Sequence, residues 1–169
     1  MTKLAKSQLA AVIVIGALLF GPMEAAMADS GRHRVDVFAT VLTGSQEISP
    51  TGVPGAGDPD GIGVFVAVAI HSDPATICYV LTAHKVTTPV ASHIHMAPAG
   101  SNGPIVVNLT PPTNGFSADC ISEGEIVNGV PAFPGTTVDA ITANPAGFYA
   151  NVHTADFPMG AIRGQVAGR

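Results

Sequence analysis

Three histidines lead the side chains in this 169-residue sequence whose spacing suggests chemistry. His93 and His95 are separated only by Ile94. Residues two apart on a β-strand point to the same face, so a strand here would present both imidazoles together. His153 lies near the end of another predicted strand, and Asn151 shares its face. Three neutral imidazoles converging at about 2.0–2.1 Å suit Zn or Cu, and imidazole-rich sites also accept Ni or Fe. Proton and metal compete for the same lone pair, so ordinary imidazoles would release the ion below about pH 6. A plainer reading stands beside this one, in which the three rings cap strand ends or hydrogen-bond loop carbonyls. His33, His71 and His84 have no partners at ligand spacing and read as surface or satisfied polar residues.

Other motifs carry less chemistry. Arg163 reads either as a substrate anchor near the histidines or as a tie from strand to strand or to Glu47. Asp58-Pro59-Asp60-Gly61 lacks the further oxygen ligands and late bidentate Glu of a calcium loop, so it reads as a loop tip. Glu123 and Glu125 are expected on an exposed, solvated strand face. Asn108-Leu109-Thr110 is a glycosylation sequon followed by Pro111. Nucleophile elbows, phosphate-cradling loops and Cys-His nucleophile signatures are absent from the sequence.

The elements that must position these residues are strands. Val35 to Leu42 sets Val35, Val37, Ala39 and Val41 against Asp36, Phe38 and Thr40, the period of a half-buried strand. Ser49 to Gly63 is dense in Pro and Gly and reads as loop. Ile62 to Ile70 places Val64, Val66, Val68 and Ile70 on one face and Phe65, Ala67 and Ala69 on the other. Further strands are expected at Thr76–Thr82, Val90–Met96, Ile105–Leu109, Gly124–Val127, Gly147–Thr154 and Ala161–Val166. One short helix is expected, capped by Thr136 or Thr137, with Asp139 in its first turn and Pro145 ending it. Many short strands with one inserted helix predict an all-β fold, a Greek-key or immunoglobulin-like β-sandwich or barrel.

The amino terminus predicts export. Lys3 and Lys6 precede an apolar run from Leu9 to Phe20, then helix-breaking Gly21-Pro22, then Ala26-Met27-Ala28. That is the order of a cleavable signal helix over 1–28, and about twelve apolar residues fall short of the roughly twenty that span a bilayer. A polar lead over 29–34 and a single domain over 35–167 follow. Without Lys3, Lys6 and Glu24, five Lys plus Arg face eleven Asp plus Glu, a formal charge of −6. Such a surface disfavours nucleic acid, and no membrane association is expected after cleavage. Cys78 and Cys120 are the only cysteines, and an oxidising periplasmic or extracellular compartment favours their pairing over a reactive thiol or metal ligand.

Three stretches together resemble the CHRD domain, a module repeated in chordin and also found singly in exported bacterial proteins. They are Gly44-Ser45-Gln46-Glu47-Ile48-Ser49-Pro50; His93-Ile94-His95 with Asn102-Gly103-Pro104-Ile105-Val106; and Tyr149-Ala150-Asn151-Val152-His153-Thr154 with Gly160-Ala161-Ile162-Arg163-Gly164-Gln165-Val166. The family usually has an acidic residue where Ala161 stands, and often Gly where Met96 stands. The resemblance implies an extracellular β domain; chordin sequesters bone morphogenetic proteins, a role that a lone bacterial copy does not inherit. The His93-Ile94-His95 strand and the later Val152-His153, with Gly160 and Arg163, are also similar to the copper-site pattern of copper-zinc superoxide dismutase, at the level of fold analogy. Two functions follow as expectations. One is an exported binding or interaction module for a protein or polymer partner, with any metal structural. The other is a copper- or zinc-binding redox protein on His93, His95 and His153.

Overall fold

The computed structural model describes residues 35–168. The expected signal segment 1–28, the lead 29–34 and His33 lie outside the described residues. Eleven strands are described: β1 (Val35–Thr43), β2 (Ile62–Ile70), β3 (Thr76–His84), β4 (Pro89–Met96), β5 (Ile105–Leu109), β6 (Phe116–Ser122), β7 (Ile126–Val127), β8 (Val130–Pro131), β9 (Phe148–Thr154), β10 (Ile162–Gln165) and β11 (Ala167–Gly168). One α-helix, α1 (Val138–Ala143), precedes β9.

Nine strands form one antiparallel sheet in the order β5-β4-β9-β10-β1-β2-β3-β6, with β11 also on β1, while β7 and β8 make a separate hairpin. After β3 the chain leaves its neighbours, builds the β4–β5 pair at the far end, and returns as β6 beside β3. This Greek-key path curls the sheet around one core. Phe38 and Leu42 of β1, Phe65 of β2, Tyr79 and Leu81 of β3, Ile94 of β4, Val152 of β9 and Ile162 of β10 all belong to it. Removing each of the larger apolar side chains from water contributes roughly 1.5–3 kcal/mol. The two ends of the sheet meet near Thr110. Its N–H donates to Tyr79 Oη at 2.8 Å, and its carbonyl accepts from Ser117 Oγ of β6 at 2.8 Å.

The expected all-β fold with one short helix is what the chain forms. Thr137 caps α1, its Oγ1 accepting from Ala140 N–H at 3.1 Å, and Val138 and Ile141 are buried. Cys78 and Cys120 are directly opposite each other on β3 and β6 and form a disulfide.

Two expectations are corrected. The strand expected at Gly124–Val127 shrinks to Ile126–Val127, and a full strand, β6, lies just before it. Glu123 and Glu125 are therefore not a solvated strand pair. Glu123 Oε1 accepts from Val138 N–H at the start of α1 (2.7 Å), and Glu125 Oε2 from Ser122 N–H (3.1 Å). His71 is a satisfied polar residue, one of the two readings given for it. Its ring bridges Asp36 of β1 (2.9 Å) and Asp139 of α1 (2.7 Å), and both carboxylates hold its pKa up.

Candidate metal centre

The core claims one face of β4 and the site occupies the other. Ile94 points into the core, so His93 and His95 stand on the outer face. Opposite them on β9, Asn151 pairs with His93, Tyr149 with His95 and His153 with Ala91. β10 then sets Arg163 beside Asn151. Period-two alternation thus places His93, His95, Tyr149, Asn151, His153 and Arg163 on one patch of the outer sheet surface.

Within it, ligand nitrogens of His93, His95 and His153 all lie within 4.8 Å of one another. His93 Nδ1 and His153 Nε2 are 3.1 Å apart. Two imidazole nitrogens on one tetrahedral ion with bonds of 2.0–2.1 Å would stand about 3.3 Å apart, so the pair is already near ligand spacing. Backbone carbonyls fix the other tautomers. His95 Nδ1–H donates to the Gly103 carbonyl at 2.9 Å, and His153 Nδ1–H to the Pro158 carbonyl at 3.0 Å. In a neutral ring the remaining Nε2 then carries a lone pair. His95 Nε2 is buried and has no hydrogen-bond partner.

The surroundings keep the rings neutral. Burial, then the neighbouring His153 and His95, lower the His93 pKa to about 4. Burial likewise lowers His95 and His153. The His95 ring stacks on Tyr149 at 4.7 Å and 5°, and the Arg163 guanidinium lies 3.4 Å from the centre of the same Tyr149 ring. Three uncharged imidazoles, with one buried nitrogen left unsatisfied, fit a borderline cation such as Zn(II) or Cu(II).

Arg163 is 2 % exposed. Its guanidinium donates to the Asn102 side chain at 3.1 Å and to the Ser101 carbonyl, so it ties β10 to the loop that carries Gly103. Glu47 is buried too, and burial raises its pKa to about 7 against the attraction of the Arg163 charge. His84 is exposed, and His71 is committed to its two carboxylates, so neither joins the site. Tyr149 was not singled out from the sequence, although its position two before Asn151 and four before His153 puts it on their face. Gly103 and Pro158 act through main-chain carbonyls, for which side-chain type gives no signal.

A curled all-β domain with a histidine cluster on its outer surface is the class these observations define. The CHRD domain profile matches residues 38–166, and the chain belongs to the CHRD domain family. Neither a curated protein nor a solved structure matches it.

Proposed function

We propose that this chain is an exported CHRD domain that binds one copper or zinc ion through His93, His95 and His153. The observation that carries the reading is His95 Nε2, a buried nitrogen without a hydrogen-bond partner inside a cluster of ligand atoms within 4.8 Å. Leaving such a group unsatisfied costs about 1–3 kcal/mol, and a bound cation recovers it. Three protein ligands also leave a position open for a small molecule, the arrangement that redox or hydrolytic chemistry on the metal requires. The disulfide fits a periplasmic or extracellular setting.

The test is titration of metal-free protein with Cu(II) and Zn(II), repeated on His93→Ala, His95→Ala and His153→Ala. One ion per chain is expected for the wild type, with at least a hundredfold loss for each folded variant, the size of effect that losing one of three ligands produces. The reading fails if the variants bind as well as the wild type, or if binding follows His71 or His84. The neutral rings also move the expected acid release. With His93 at about 4, proton competition at that ligand sets in well below the pH 6 of ordinary imidazoles.

A second observation supports the interaction-module reading. Val41, Val64, Thr82 and Phe116 form a register row across β1, β2, β3 and β6, and Val41, Val64 and Phe116 are exposed by 53 %, 41 % and 54 %. A protein or polymer partner met after export would find its apolar contact there, away from the histidines. Recovery of the protein repeatedly free of metal from its native compartment would favour this reading, and a stoichiometric redox-active metal the first.

A further inference from the structure

The outer surface of the sheet has two characters. The histidines, Asn151 and Arg163 occupy its β4–β9–β10 part, while β1, β2, β3 and β6 carry an apolar part. On these four strands the core takes Phe38, Phe65, Tyr79 and Ile121, so the alternate residues face outward. Register sets the outward residues in rows. The row Val41-Val64-Thr82-Phe116 is followed by Ala39, Val66, Val80 and Ala118. The next row holds Val37, Val68 and the Cys78–Cys120 disulfide. On the other side of the first row, Ile62 lies between Thr43 and His84. Among the described residues of the four strands, Asp36 and Asp119 are the only ones of type Asp, Glu, Lys or Arg, and both alternate onto the opposite side.

With no Asp, Glu, Lys or Arg on it, this face offers a partner shape and apolar area and nothing for an ion pair. Four strands about 4.8 Å apart and four rows about 6.8 Å apart cover about 500 Å². That is in the upper part of the range of apolar patch that a monomer ordinarily leaves in water. Two such faces in contact would remove about 1,000 Å² in all, the lower bound for a specific interface. The wet area is concentrated at one end. Ile62 is exposed by 45 % beside the exposed Val41, Val64 and Phe116, while Val66 and Val68 are buried. That end is where a cover removes most apolar surface from water.

We propose that this face binds a second copy of the chain, sheet against sheet across a two-fold axis. This rests on the interaction-module reading and names its partner. A second copy brings a face of the same extent and the same strand spacing, equally free of charge, so neither side desolvates an ion. Sheets that stack face to face stand about 10 Å apart with strands within about 30° of each other. In that arrangement Val41, Ile62, Val64 and Phe116 of one copy interdigitate with the same residues of the other. The histidine centre stays outside the contact, on the β4–β9 part of the sheet. An interface of this small size corresponds to a dissociation constant in the micromolar range. Away from the face the two copies carry like net charge, −6 each without residues 1–28, so salt should tighten the dimer by screening their repulsion.

The experiment is sedimentation analysis of protein purified from its native compartment, with and without chelator, across about 1–200 µM, a range that brackets a small interface. A monomer–dimer equilibrium that chelator leaves intact and salt tightens is expected. Val64→Lys and Phe116→Lys each place a charge where the single chain already meets water, so the fold is kept and the dimer should weaken at least tenfold. Val53→Lys, in the loop between β1 and β2 and outside the four strands, should leave the dimer unchanged. A wild type that stays monomeric at the highest concentration overturns the proposal. So does a dimer that survives both folded face variants, and so does one seen only without chelator, which would be held by an ion shared between histidines. A monomer that loses a different protein partner on Val64→Lys overturns the second copy and leaves the interaction-module reading standing. Face variants that alter no association of any kind overturn both.

Discussion

His93 sits between two other imidazoles, and burial plus their proximity favour its neutral form down to about pH 4. In the unfolded chain the same ring titrates near 6.5. Between those values the unfolded state binds more protons, so the metal-free fold loses stability as pH falls from about 6.5 toward 4. The full shift would convert to about 3 kcal/mol, and discounting for the ring's partial exposure to solvent brings this to about 1–2 kcal/mol. Urea denaturation of metal-free protein at several pH values should show that decline, and His93→Ala should flatten it by about this amount. A decline unchanged in the variant would assign the acid sensitivity to other groups. Spacing alone paired this ring with His95, and His153 joined them through a predicted strand and the recurring stretch around it. What spacing did not carry was the tautomer set by Gly103 and Pro158, or the burial of Glu47, since both depend on loops that fold onto the strands from far along the chain.

At the scale of elements, alternation was legible and its direction was not. β1 and β2 each alternate cleanly, but the core takes Phe38, Leu42, Phe65, Ala67 and Ala69, while the valines Val37, Val66 and Val68 pack on the outer face. Period two names two faces without saying which one a later strand will cover. β6 was invisible for a different reason. Phe116-Ser117-Ala118-Asp119-Cys120-Ile121-Ser122 holds three polar and two small residues, a composition depleted in strands, and it is held in place by its pairing with β3. The disulfide fastens that terminal strand to β3. With 42 residues separating the two cysteines, cross-linking is worth roughly 4 kcal/mol in the chain-entropy account. The double variant Cys78→Ser, Cys120→Ser should therefore lose about 2–4 kcal/mol in denaturant unfolding. A loss below about 0.5 kcal/mol would mean that β6 needs no covalent anchor.

For the whole molecule, the question is what holds a curled sheet shut. β5 and β6 end the strand order, and Thr110 just after β5 joins them to the other edge twice: its carbonyl accepts from Ser117 Oγ of β6, and its N–H donates to Tyr79 Oη of β3, whose pKa burial raises to about 12. Tyr79→Phe keeps the ring and orphans that N–H. A cost of about 1–3 kcal/mol is expected, read as a lower urea midpoint with an unchanged slope. An unaffected midpoint would show that the Tyr79 hydroxyl does not help to hold the seam, leaving the Ser117 bond and packing to do so.

The pairing of β4 with β9 sets a timetable for the chain. His93 and His153 are 60 residues apart in sequence yet 3.1 Å apart in space. Closing so long a loop is entropically expensive, and its ordering cost falls due before any contact in it forms. The β1–β2 and β2–β3 hairpins have short-range routes, whereas β9 and β10 must be made last and then inserted between β4 and β1. Until β9 is in place, β4 offers only His93 and His95. The three-histidine cluster consequently exists only once β9 has paired with β4, so it is a product of the finished fold rather than of any local segment.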